Sequence, residues 1–146
     1  VIYNMASIEE AIFTVLKNDA GIASKVGYGT GKFHIYPFGV PEKQLKSGTS
    51  GSRYFIVYQK VSSKKITDVD IELPLIQINA IADSFSNAIT LKDDIIRVLE
   101  RFKGNMGAVK DVKFSSLEGE TGLRDPDTDY FYIALSFRCK YFGDNV

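Results

Sequence analysis

Between Thr128 and Phe142 the chain reads TDYFYIALSFRCKYF, and the odd positions Phe131, Ile133, Leu135, Phe137, Cys139 and Tyr141 are apolar throughout. Period-two alternation over so long a run dictates a β-strand with its odd face against a core. The even positions Tyr132, Ala134, Ser136, Arg138 and Lys140 mix aromatic, small and cationic groups. That face is neither a second core nor a plain solvated surface. Any fold for this chain must cover one side of the strand and account for the other.

Two amphipathic helices are available to do the covering. The first is predicted to open at Ser7, whose hydroxyl caps free amides while Glu10 completes a capping box; Ile8, Ala11, Ile12, Val15 and Leu16 then share a face, and Asn18, Asp19 and Gly21 end it. The second is capped near Ser84, with Ala88, Leu91, Ile95, Val98, Leu99 and Phe102 on one face, Asp93, Asp94, Arg97 and Arg101 on the other, and Gly104 as its C-terminal cap. Between them KVGYGTGKF reads as a loop leading to a short strand from Phe33 to Tyr36 that Pro37 stops. RYFIVYQKV is apolar on both faces near its middle and is predicted to be central in the sheet.

The strand beginning near Asp68 changes phase. Val69, Ile71 and Leu73 are apolar at odd positions, Ile76, Ile78 and Ala80 at even ones, and Pro74 stands at the switch. A β-bulge there lets both halves face one core; the alternative is a strand that passes from one surface to another. Val109 to Leu117 reads as a fourth strand and GETGLRDPDT as a turn-rich connection to the last. The expectation is an α+β fold in the order α-β-β-β-α-β-β: a mostly antiparallel sheet of about five strands with both helices on one face and the other face uncovered.

At 146 residues the chain is expected to be one domain spanning 1–146, with a flexible N-terminal arm over 1–6 and a mobile loop over 42–52, EKQLKSGTSGS. Met5-Ala6-Ser7-Ile8 reads as a natural start, leaving Val1 to Asn4 as either an added sequence or a native arm. Eighteen basic and eighteen acidic side chains cancel, which argues against a global field drawing the protein to nucleic acid or to an anionic membrane and leaves local patches as the only charged sites. No apolar run approaches the ~20 residues of a membrane span, and the first residues lack the pattern of a signal peptide. Cys139 is the one cysteine, so no intramolecular disulfide forms; an inward-facing free thiol suits a reducing cytoplasm.

Chemistry-bearing sets are sparse. His34, the single histidine, lies between Phe33 and Ile35 and reads as a packing residue. Cys139 faces inward, away from any activating base. VGYGTGK fails the phosphate-loop pattern, because Val26 stands where its first glycine belongs and Phe33 where Ser or Thr should follow the lysine. DPDTD opens like a calcium loop, but Tyr130 replaces the turn glycine and Ser136 the bidentate glutamate, so it reads as a turn. No catalytic residue, metal or cofactor is expected. Asp68, Asp70 and Glu72 at two-residue spacing repel one another and need solvent, a cation or a basic partner. The sharper reading pairs them with Arg138, Lys140 or the loop lysines Lys43 and Lys46 of a neighbouring copy. Aromatics interleaved with Arg53, Lys60, Arg138 and Lys140 also raise a single-strand nucleic-acid platform, which zero net charge disfavours.

SIEEAIFTVLKNDAGIASKVG, HIYPFGVP, RYFIVYQKVS, IQINAIADS running into NAITLKDDIIRVLERFKG, and DPDTDYFYIALSFRCKYF, taken in order, resemble the small tail-completion or tail-terminator proteins of long-tailed bacteriophages. The likeness spans nearly the whole chain and is carried by packing and turn patterns. The Glu42 to Ser52 loop is longer and richer in glycine and serine than the family pattern, and Arg53 stands where a second proline is usual. The resemblance implies a non-enzymatic virion protein, assembled in the bacterial cytoplasm, that closes the head-proximal end of the tail tube as a ring of roughly six copies. Its partners would be further copies, the tube protein and the head connector, with DNA only as passing cargo and no membrane. The face of Tyr132, Ser136, Arg138 and Lys140 would meet neighbours or line a wet channel, and the 42–52 loop would order on assembly. A head-completion or neck protein, or a monomeric cellular domain binding a ligand on the open sheet face, are the alternative readings.

Overall fold

The computed structural model describes residues 7–27, 33–40, 53–66, 71–106 and 109–142. The arm 1–6 and the loop 42–52 lie outside them, as do Lys43, Lys46, Asp68 and Asp70. Among the described residues three helices cover one face of a seven-stranded, mostly antiparallel sheet. The α+β class holds, with one more helix and two more strands than the alternation predicted.

Helix α1 (Ile8–Asn18) starts as expected: Ser7 Oγ accepts from the Glu10 amide at 3.0 Å, and Ile8, Ala11, Ile12 and Leu16 are buried. The predicted stop at Asn18 to Gly21 is a hinge between two helices, because Asp19 ends α1 and caps α2 (Ala20–Val26) by accepting from the Ile22 amide at 3.0 Å. Ile22 and Val26 are then fully buried. Helix α3 (Phe85–Leu99) is capped by Ser84 Oγ, which accepts from the Asn87 amide at 3.2 Å, and buries Ala88, Leu91, Ile95 and Leu99. It ends at Glu100, with Arg101 taking the left-handed turn at φ 58°; Gly104, expected as its cap, lies at φ 138° in the following strand.

Strand β1 (Ile35–Pro37) pairs parallel with β2 (Tyr54–Ile66). Strand β2 is central, with Phe55, Ile56, Val57 and Tyr58 all buried. Next comes β3 (Ile71–Ala82), paired antiparallel with β2 on one side and with β7 (Phe131–Phe142) on the other. Of the two readings the phase change left open, β3 follows the second, passing from one surface to the other, and the bulge is in the neighbouring strand. The β3–β7 register runs without a shift from Ile71 opposite Phe142 to Ala82 opposite Phe131, whereas β2 slips between Lys60 and Ser62, so that half-exposed Val61 is the extra residue. Pro74 keeps the helix-facing phase of Ile76 and Ile78, and the β3–β7 ladder skips Leu73 and Pro74, where proline has no N–H to donate. Ile71 and Leu73 therefore fall on the other surface.

Strands β4 (Lys103–Met106) and β5 (Val109–Phe114) form a hairpin, and β5 pairs with Lys140 and Cys139 of β7. Strand β6 (Gly119–Arg124), expected to be a turn-rich connection, continues along the same edge of β7 from Ser136 to Phe131. All six of its residues are exposed, so neither of its faces carries a hydrophobic period. The main core joins the inward residues of all three helices to Ile56, Ile76, Ile78, Leu135, Phe137 and Cys139. Each fully buried side chain of that size contributes roughly 1.5–3 kcal/mol.

Candidate interaction face

The register assigns every central residue to a face. Opposite the helices, Phe55 of β2, Ile81 of β3, Tyr132 of β7 and Leu123 of β6 lie in one lateral row. Val57, Asn79, Ala134 and Thr121 form the next, followed by Gln59, Gln77, Ser136 and Gly119. Leu75 and Arg138 come after them, and the end of the face is a row of Lys140, Lys113 and Lys103 on β7, β5 and β4. The face thus runs from aromatic and aliphatic groups through amides and small residues to cations. No carboxylate occupies an outward position of β2, β3 or β7 among the described residues.

The apolar end is not bare, as the sequence implied. Phe55, Val57, Ile81 and Tyr130 form a second small core with Tyr36, Val40 and Tyr132 packed on it. Phe55 meets Tyr130 edge-on at 5.7 Å and His34 at 5.6 Å, while His34 Nδ1 lies 2.9 Å from the Tyr36 hydroxyl. His34 is buried in packing and hydrogen bonding, as expected. Arg53 is buried as well, its guanidinium 3.4 Å from the Tyr130 hydroxyl and its amide donating to Asp83 at 3.2 Å. Burial raises the Tyr132 phenol above its ordinary value, with Asp125 adding to the effect. Leu123 remains 65% exposed at the outer edge.

In the middle, the Gln59 amide donates to Gln77 at 3.0 Å. The Asn79 side-chain oxygen is buried and accepts from nothing among the described residues. At the cationic end Arg138 is anchored, its Nη1 donating to the Leu73 carbonyl at 3.2 Å and its amide to Ser115 Oγ at 3.0 Å. Lys103, Lys113 and Lys140 are exposed.

Tyr132, Arg138 and Lys140, singled out from the sequence, share this face; Glu72 does not. Because β3 keeps its phase, Glu72 lies on the helix side opposite Tyr141, where burial and the Glu72 carboxylate together push the Tyr141 phenol up. Lys103 and Lys113 were missed, since nothing in KGNM or VKDVKF marks them as neighbours of Lys140 until the strands pair. Cys139 is fully buried, and burial pushes its thiol up to about 12. The DPDTD segment is a turn: the Asp127 amide donates to Asp125 Oδ1 at 2.9 Å, and Asp129, at φ 63°, pairs with Arg124. Among the described residues no three His, Cys, Asp or Glu side chains gather as a metal site, and no helix is long and apolar enough to cross a membrane.

No protein-family model matches the chain, and no curated protein does. Among solved structures, a chain of the virion of a native gene transfer agent particle aligns with a TM-score of 0.68 at 19% identity, covering 96% of this chain and 98% of that one. The likeness is one of fold. It extends over nearly the whole of both chains.

Proposed function

We propose that this chain is a structural virion protein, without enzymatic activity, that closes the head-proximal end of a phage-type tail tube as a ring and offers the surface on which the head connector docks. The observation that carries this reading is the end-to-end likeness of fold to a chain of a virion particle. It agrees with the resemblance of the sequence segments to tail-terminator proteins. The two-faced sheet supports it as well: helices close one side, while the other presents an apolar end suited to a neighbouring protein and a cationic end suited to a wet surface. Identical copies joined head to tail close into a ring when the rotation between them allows.

Native mass across a concentration series, followed by negative-stain imaging alone and with purified tube, tests the assignment. A closed ring of about six copies, free or seated at one end of the tube, is the expected result. A chain that stays monomeric and leaves tube ends unoccupied overturns it, and binding to the portal side of heads would assign a head-completion role instead.

A further inference from the structure

The lysine row stands apart from the rest of the face. Lys103 is directly opposite Lys113, and Lys113 directly opposite Lys140, on three adjacent strands. Like charges facing one another across paired strands are destabilising, and neighbouring strands lie only ~4.8 Å apart. None of the three ammonium groups takes part in an ion pair among the described residues. Among the described residues Asp111, held at φ 54°, is the one acid lining a recess of about 260 Å³ with Lys113, Lys140 and Tyr141. Arg138 stands one step inward on the same face. A neutral chain has thus gathered four cations at one end of a surface whose central strands carry no outward carboxylate.

We propose that Lys103, Lys113, Lys140 and Arg138 form a phosphate-contacting row for duplex DNA, bound without regard to sequence. Two features favour a polyanionic backbone over an acidic protein surface. Protein interfaces are depleted in lysine and enriched in aromatics, and here the aromatics lie at the opposite end of the face, around Phe55 and Tyr132. Lysine is a flexible point charge that meets phosphate without fixed geometry. Such contacts hold weakly and slide, which suits a surface along which DNA moves. The inference rests on the virion reading for its source of duplex DNA, and its test does not depend on ring formation.

Anisotropy of a labelled mixed-sequence duplex of about 30 base pairs, titrated with the full chain over a salt series, reads the contact directly. With four phosphates neutralised per copy, affinity falls by ~10²-fold between about 50 and 200 mM salt. The triple substitution Lys103→Gln, Lys113→Gln, Lys140→Gln should reduce that to ~3-fold. A control triple away from the row, Lys17→Gln, Lys60→Gln, Lys92→Gln, should keep the wild-type salt dependence. Thermal melting checks folding, and the row variant is expected to melt no lower than wild type because like-charge contacts are removed. Absence of salt-dependent binding, or equal loss in both triples, overturns the proposal. So does a row variant that forms no ring while wild-type chain ignores DNA, which would make the row a protein contact and leave the ring standing. Row-dependent binding by a chain that never forms rings upholds this inference and sinks the ring.

Discussion

Asn79 shows how one residue can be stable in a sheet and still carry a cost. Its amide oxygen is buried between Val57 and Ala134 with no donor among the described residues, and an unsatisfied buried acceptor costs ~1–3 kcal/mol. Asn79→Val, a β-branched side chain beside Val57, should raise stability by about 1 kcal/mol, read as a higher urea midpoint with unchanged slope. A lower midpoint would mean that the amide is satisfied in solution. Cys139 is the converse case: fully buried, with burial holding its thiol far from ionisation. Thiolate is the species that alkylates, so iodoacetamide should modify Cys139 only after denaturation, with no mass shift in the native chain at neutral pH. Cys139's inward place was legible from alternation alone. Asn79's strain was not, because it depends on what two other strands put beside it.

At the scale of elements, the α1–α2 junction concentrates several interactions on Asp19. It caps α2 and accepts from Arg97 of α3 through both guanidinium nitrogens, at 3.1 and 2.7 Å. Hydrogen bonding to Arg97, aided by the Ile22 amide, lowers the Asp19 carboxyl below its ordinary 3.8. A carboxyl more acidic folded than unfolded stabilises the fold at pH above the unfolded value, and that contribution is lost as pH falls through the folded one. Acid unfolding should therefore begin below about pH 4 in wild type, and Asp19→Asn should show a shallower dependence there. Asp19→Ala also removes the cap and should cost about 1 kcal/mol at neutral pH, measured by thermal melting. The capped starts of α1 and α3 and the alternation of β7 were readable because each has a local cause. Strand β6 was not, since an edge strand exposed on both faces has no period to read. Pro74 marks the change of phase in β3 and left a bulge or a passage between surfaces open; the passage is what β3 makes, and the extra residue is Val61 across the ladder, a relation visible only once strands are paired. The place of Glu72 on the helix side, opposite Tyr141, was illegible for the same reason.

For the whole molecule, the ring reading and the proposed phosphate row together ask one open face to serve both a neighbouring copy and a passing polyanion. The register separates the two: Phe55, Ile81, Tyr132 and Leu123 mark one end, and Lys140, Lys113 and Lys103 the other. Apolar contact and long-range charge then act on different strand positions, so each can be altered alone. Leu123 is the place to do it. It is 65% exposed on an edge strand whose outer backbone groups pair with nothing among the described residues, and such an edge is a ready template for another chain. Leu123→Glu puts a charge on that edge without touching the core, so the monomer's unfolding free energy should stay within the range of a surface change, about ±0.5 kcal/mol. Ring closure, read by native mass at concentrations where wild type assembles, should be lost, while salt-dependent duplex binding at the lysine row persists. If Leu123→Glu assembles as wild type does, the contact between copies lies away from this edge, and the apolar end of the face belongs to the tube or the connector.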